Sequence, residues 1–247
     1  MRVKEHYEKH LADFYSWMLG DLEPKSTEFQ NLLSSNGVEP KTTKNAIDLG
    51  AGNGIQSIAL KRLGFEVVAV DFNEQLLKEL KANPNAKGVK TKLLDITQVR
   101  ELESLKPELI ICCGDTITHL DSKERIEKLI SDCTKILTDN GHLILTFRNY
   151  TSELSDQQRF IPVKSTNDRI LTCILEYEPE KVKVTDLLYE KSNGQWNQKV
   201  SSYQKVRIEP KEVVQILEEN GMSIKLNQPI NRMETIIANK NGLQHGI

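Results

Sequence analysis

The chain has 247 residues, with 33 Lys and Arg against 35 Asp and Glu, a formal charge of −2 at pH 7. Its 38% hydrophobic and 28% charged residues exclude a disordered chain, and the missing basic excess argues against a nucleic-acid binder. The first twenty residues mix charges with apolar positions and no apolar run approaches ~18 residues, so no signal peptide, no membrane contact and a cytoplasmic location are expected.

Residues 1–43 read as a helical cap. Tyr7, Leu11, Phe14, Tyr15 and Met18 recur at helical spacing, and a second piece around Phe29 and Leu33 stops at Asn36-Gly37. From Lys44 the pattern changes to a strand (AIDLG), then a helix carrying Ile55, Ile58, Ala59 and Leu63, then a second strand (FEVVAV). A helix with Leu76, Leu77 and Leu80 follows, then strands KTKLLD and ELIICC. Residues 126–137 fit one helical face, with Asp121 and Glu124 as a capping-box-like start, before the fifth strand, GHLILTF.

Strands that are apolar on both faces and alternate with helices predict a parallel sheet covered on two sides. Residues 151–209 break the rhythm. ILTCILEY, KVKVTDLLYE and KVSSYQKVRI read as antiparallel strands, with turns at Glu178-Pro179-Glu180 and Asn193-Gly194. A helix from Pro210 to Asn220 and two last strands close the chain. The expected fold is one α/β domain, Rossmann-like and doubly wound. Its seven-stranded sheet is mostly parallel, with an antiparallel insertion after the fifth strand. The core is 44–150 and 210–247; the insertion is expected as a wall over an acceptor pocket. Cys112, Cys113, Cys133 and Cys173 have no metal-ligand spacing and read as buried, reduced thiols. No metal site is expected.

The most informative segment is Asp48-Leu49-Gly50-Ala51-Gly52-Asn53-Gly54, between a strand and a helix. Such a loop brings backbone and a helix N-terminus to a ligand. Asp71, 23 residues after Asp48 and at the end of the next strand, is placed to accept both ribose hydroxyls of an adenosine. Ile55 stands where a dinucleotide fingerprint requires its third glycine. The pattern DxGxGxG instead resembles motif I of the class I S-adenosylmethionine-dependent methyltransferases. That resemblance implies S-adenosyl-L-methionine as cofactor and S-adenosyl-L-homocysteine as product. It further implies that Asp48, Gly50, Ala51, Gly52 and Gly54 line the methionine moiety and Asp71 holds the ribose. By the same resemblance Phe72 would pack on adenine, and Asp95, Ile96 and Cys113 would complete the cofactor site. Asp95 also reads as a helix N-cap.

Two further segments narrow the acceptor. Gly114-Asp115-Thr116-Ile117-Thr118-His119-Leu120 and Phe147-Arg148-Asn149-Tyr150 are similar to the GNSxAHL and HRNYD segments of the glycine, sarcosine and dimethylglycine N-methyltransferases. The resemblance implies that Arg148 binds an acceptor carboxylate, with Tyr15 and Trp17 beside the acceptor and Tyr7 and Tyr150 as further pocket aromatics. Asp115 stands where that group has asparagine, which suits an ammonium or a departing proton. Asp115 and His119 are therefore the candidate bases. The expected activity is N-methylation of a small amine or amino-acid-like acceptor. A small-molecule O-methyltransferase, a non-catalytic S-adenosylmethionine-binding protein and an RNA-modifying enzyme remain alternatives.

Overall fold

The structure, a computed structural model, describes residues 3–12 and 14–242. The chain opens with α1 (Val3–His6), a π-helical turn (Tyr7–Leu11), α2 (Tyr15–Leu19) and α3 (Leu22–Ser35). Then β1 (Asn45–Leu49), α4 (Ile55–Arg62), β2 (Glu66–Asp71), α5 (Glu74–Ala82) and β3 (Lys90–Leu93) alternate. A 3-10 segment (Ile96–Leu105) leads to β4 (Leu109–Cys112), a 3-10 turn (Thr116–His119), α6 (Lys123–Ile136) and β5 (His142–Phe147). Four strands follow: β6 (Phe160–Ser165), β7 (Arg169–Tyr177), β8 (Lys181–Ser192) and β9 (Gln195–Val206). The chain ends in α7 (Pro210–Glu219), β10 (Met222–Ile230) and β11 (Met233–Lys240).

These elements form two compact units. The larger runs from Asp21 to Asn149 and from Glu209 onward. Its seven strands are ordered β3-β2-β1-β4-β5-β11-β10. β1 to β5 are parallel, and β11 runs antiparallel to both β5 and β10. This is the mostly parallel, doubly wound sheet that the sequence predicts. The central strands are buried on both faces: Ile47, Leu109, Ile110 and Ile144 have no exposed surface. That is why they read as continuous apolar runs. Strand order reverses between β1 and β4, so the carboxyl ends of β1, β2, β4 and β5 border the crevice where ligands bind in such sheets.

Local capping differs from expectation at one helix. Ser122, not Asp121, occupies the N-cap of α6, and the Ser122 hydroxyl holds the Glu124 carboxyl below its ordinary range. α7 has the full reciprocal box, Glu209 with Glu212. Ile96, Val99 and Leu102 are the buried residues of the 3-10 segment, a three-residue period that matches this helix and not an α-helix.

The smaller unit comprises the segment up to Gly20 with Tyr150–Ile208. Its sheet is ordered β6-β7-β8-β9 and is antiparallel throughout. The β8–β9 turn is made by Asn193 and Gly194, both at positive φ, as a two-residue hairpin requires. One face of the sheet buries Leu171, Leu175, Val182, Val184 and Leu188, and Leu11 and Phe14 pack with Leu171 and Leu188. His6 fixes the N-terminal segment to that face. Its Nδ1 meets Ser201 Oγ at 2.7 Å and its Nε2 lies 3.3 Å from Asp186 Oδ2. All four cysteines are free, and burial pushes the thiols of Cys112, Cys113 and Cys133 upward. No helix among the described residues is long and apolar enough to cross a membrane.

Candidate active site

β1 delivers Asp48 and then turns through residues 50–54 into α4. The N–H groups of Gly50 and Ala51 both donate to the Val70 carbonyl, at 2.8 and 2.9 Å, which ties the loop to β2. Gly50 and Gly54 have φ of +74° and +96°. A Cβ on Gly50 would stand 2.4 Å from Thr116 Cγ2, and one on Gly54 only 2.0 Å from Leu80 Cδ1. Glycine is demanded at both positions by conformation and by space.

Asp71, 6% exposed, ends β2 beside this loop. Gly52 N–H donates to its Oδ2 and Asn73 N–H to its Oδ1, each at 2.8 Å. The Phe72 N–H also bonds to this carboxylate; a carboxylate has about four acceptor sites, so these backbone contacts orient the group and leave capacity for a further donor. Asn73 in turn caps α5 by accepting from Leu76 N–H. Burial raises the Asp71 carboxyl above its ordinary range. Asp48, 1% exposed, takes a hydrogen bond from Ser57 Oγ at 2.6 Å. Burial pushes its carboxyl up to about 7, against the Ser57 bond and with help from the charge of Asp71.

Asp95 is exposed and caps the 3-10 segment through Oδ1, which accepts from both Thr97 N–H and Thr97 Oγ1. Ile96 is buried and Phe72 half-buried at the end of β2. Cys113 follows β4 and is buried; its carbonyl accepts from Thr116 Oγ1 at 2.7 Å.

The ends of β4 and β5 are stitched together. Gly114 N–H donates to Thr146 Oγ1 and Asp115 N–H to the Thr146 carbonyl. Asp115, 3% exposed and in the left-handed region at φ +74°, accepts through Oδ1 from Thr118 Oγ1 at 2.8 Å and from Arg148 N–H at 2.9 Å. The Arg148 side chain is exposed, and among the described residues its guanidinium enters no ion pair. His119 is the half-buried last residue of the 3-10 turn that Asp115 opens.

Tyr15 and Trp17 belong to the smaller unit and pack against its Leu11, Phe14, Leu171 and Leu188. Lys164 donates to the Trp17 carbonyl and stands 5.3 Å from the centre of its ring. Tyr7 packs on the same cluster, while Tyr150 packs with Leu175, Val182, Val184 and Tyr203.

A family profile described as "Methyltransferase domain" matches residues 46–141, which span β1 to the start of β5 and include the glycine loop and both buried acids. Residues 46–141 form a methyltransferase domain of the class I S-adenosylmethionine-dependent kind. The chain's fold agrees with a solved S-adenosylmethionine-dependent methyltransferase from Clostridium acetobutylicum. The TM-score is 0.72 at 15% identity, over 96% of this chain and 99% of that one. An amino pentose methyltransferase from Micromonospora echinaspora, solved with S-adenosylmethionine bound, matches with a TM-score of 0.71 at 10% identity, over 90% and 92% of the two chains. In sequence, the chain is 33% identical over 109 residues to the glycine/sarcosine N-methyltransferase of Aphanothece halophytica, 43% of this chain and 41% of that one. It is 30% identical over 138 residues to the glycine/sarcosine/dimethylglycine N-methyltransferase of Actinopolyspora halophila, 53% of this chain and 23% of that one. The chain thus spans less than half the length of these two relatives.

The methyltransferase's residues fit the cofactor of its family. A ribose diol needs two acceptors at one place, and Asp71 keeps both oxygens oriented by backbone bonds. The loop that would face the methionine moiety has no room for side chains at Gly50 and Gly54. Motif reading missed the residues that hold these groups. Ser57 anchors Asp48, Thr116 fills the space behind Gly50, and Thr146 and Thr118 set the geometry of Asp115. They are small polar residues whose partners lie on other elements. The one local signal is Asp115-x-x-Thr118, a side-chain cap spacing.

Proposed function

We propose that this methyltransferase N-methylates a small amine or amino-acid-like acceptor with S-adenosylmethionine. The observation that carries the reading is the Asp115–Arg148 bond. It holds the start of the Arg148 loop against the end of β4 while the guanidinium stays exposed. A planar guanidinium fork suits a carboxylate, which it binds through two parallel hydrogen bonds. The matches to glycine/sarcosine N-methyltransferases at 25–33% identity support the same acceptor class.

S-adenosylmethionine, when bound, supplies a methyl group on a sulfonium sulfur, open to in-line attack. The protein's task is then positional. Asp71 orients the adenosine end, Asp48 and the glycine loop hold the methionine end, and Asp95, Ile96, Phe72 and Cys113 border the adenine. Arg148 fixes the acceptor by its carboxylate. The acceptor nitrogen must be neutral to attack, so its proton passes to His119, to Asp115 or to water. Asp115 already spends Oδ1 on two hydrogen bonds, which favours a positioning role for it and the proton transfer for His119.

O-methylation is the second reading, favoured by 28% identity over 130 residues to a ubiquinone biosynthesis O-methyltransferase of Rickettsia conorii. The test is incubation of the purified protein with methyl-labelled S-adenosylmethionine and a panel of amino acids, other amines and phenols, read by mass spectrometry. Labelled N-methyl amino acids are expected; label found only on hydroxyl oxygen overturns the reading.

A further inference from the structure

Two loops of the larger unit meet at one side chain. Thr116 is half-buried, and a Cβ built on Gly50 would lie 2.4 Å from its Cγ2 and 2.6 Å from its Oγ1. Both branches of the threonine therefore rest against the backbone of the glycine loop. The contact is stiff on each side. Gly50 N–H is tied to the Val70 carbonyl of β2 at 2.8 Å. Thr116 is β-branched, which restricts χ1, and its Oγ1 donates within its own turn, to the Cys113 carbonyl at 2.7 Å.

Thr116 directly follows the turn that leads to the Arg148 segment. Gly114 and Asp115 both have positive φ, +73° and +74°, a conformation that an aspartate adopts at a cost. Bonds from the end of β5 hold the turn in it. Gly114 N–H donates to Thr146 Oγ1 at 2.9 Å, and Asp115 N–H donates to the Thr146 carbonyl at 3.0 Å. The Asp115 carboxylate accepts from Arg148 N–H at 2.9 Å. A strained turn braced at consecutive backbone groups moves as one piece. Displacing Thr116 displaces Asp115, and Asp115 carries the start of the Arg148 segment with it.

We propose that Thr116 is a positioning residue that transmits occupancy of the glycine loop to the Arg148 backbone. With residues 50–54 immobilised by bound cofactor, Thr116 gains a rigid backing. The Gly114–Asp115 turn and the Arg148 N–H bond then open less often. Ordering one loop lowers the cost of ordering the loop packed on it, and such coupling is reciprocal. The shape of the side chain carries the effect, because the hydroxyl bond stays inside residues 113–116. The coupling concerns this chain's own residues. Its consequence for catalysis, tighter acceptor binding to the cofactor-loaded protein, rests on the acceptor role proposed for Arg148.

The test is amide hydrogen exchange by NMR on the full chain, with and without saturating S-adenosylhomocysteine. The reporter is the Arg148 N–H, whose acceptor is Asp115. In the wild type the ligand is expected to slow exchange there about tenfold, within the usual range of coupling between sites. In Thr116→Ala the ligand still slows the amides of residues 50–54 but changes Arg148 less than about twofold. Thr116→Val, which keeps both branches, restores the wild-type ratio. A merely structural role would lower Tm and speed exchange equally with and without ligand, leaving that ratio unmoved. Should the alanine variant not fold, Thr116→Ser keeps the hydroxyl and loses Cγ2, and is expected to cut the ratio to about threefold or less. A wild type that binds S-adenosylhomocysteine without slowing Arg148 overturns the proposal. So does an alanine or serine variant with the full ratio, or a valine variant without it. Calorimetry on the same samples reports binding separately: no binding at all overturns the cofactor assignment, and the proposal with it.

Discussion

Asp115 and Arg148 are 33 positions apart and follow different strands, yet the Asp115 carboxylate accepts the Arg148 backbone N–H at 2.9 Å. The bond fixes where the Arg148 loop begins without drawing on the guanidinium. Asp115→Ala leaves that N–H without its acceptor, while the Thr118 hydroxyl keeps the residue 115 carbonyl, at a cost of about 1–3 kcal/mol. A chain of this size then loses roughly 2–10 °C in Tm. Asp115→Asn keeps an acceptor oxygen and recovers most of the Tm. The pair of variants also separates the roles. If Asp115 only positions, the Asn variant keeps its kcat; if it takes the acceptor's proton, kcat falls while Tm holds.

Arg148→Lys keeps the charge and loses the fork. For an acceptor bearing a carboxylate, KM is expected to rise about tenfold or more, with the cofactor dissociation constant nearly unchanged. Steady-state kinetics and calorimetry give the two numbers. Unchanged KM for every active acceptor removes the carboxylate-reading role from Arg148.

The parallel core was legible because its strands are buried on both faces: Leu109, Ile110, Ile111 and Cys112 need no alternation to reveal a strand. The glycine loop was legible because φ and space at Gly50 and Gly54 admit one residue type. β6 was not legible. Pro162 interrupts it, and its residues are half-buried or exposed, so neither alternation nor an apolar run marks it. The 3-10 segment 96–105 escaped because its three-residue period resembles no standard template. In the site, acids at strand ends stood out, whereas Ser57, Thr116 and Thr146 carry no pattern of their own. Their roles exist only once β1, β4 and β5 lie side by side.

Asp71 is held by the backbone N–H groups of Gly52, Asn73 and Phe72 and is the acceptor proposed for the ribose. Hydrogen bonds to charged groups contribute about 1.5–3 kcal/mol each. Asp71→Ala is therefore expected to weaken S-adenosylmethionine and S-adenosylhomocysteine by at least about 10- to 150-fold in calorimetry, the loss of one such bond. Asp71→Asn is expected to lose less, because the amide still offers one acceptor. Equal affinity in wild type and Asp71→Ala removes the assignment.

Asp48 links stability to cofactor binding through its proton. Burial holds its carboxyl near 7, from an ordinary value of 3.8. Because the folded value is raised, the contribution to stability is complete below pH 3.8 and is lost as pH climbs to about 7. Asp48→Asn removes the titration. Its Tm relative to wild type is expected to rise between pH 5 and pH 7.5 by several degrees and to level off above. Binding runs the other way. A cationic methionine end beside Asp48 favours the ionised carboxylate, so wild-type affinity for S-adenosylmethionine is expected to increase from pH 6 to pH 8. Protons are released on binding, seen as a dependence of the calorimetric heat on buffer ionisation enthalpy. Asp48→Asn should bind more weakly, with a flatter pH profile and less proton release. If wild type and variant give superimposable profiles of both Tm and affinity, the proton does not sit on Asp48.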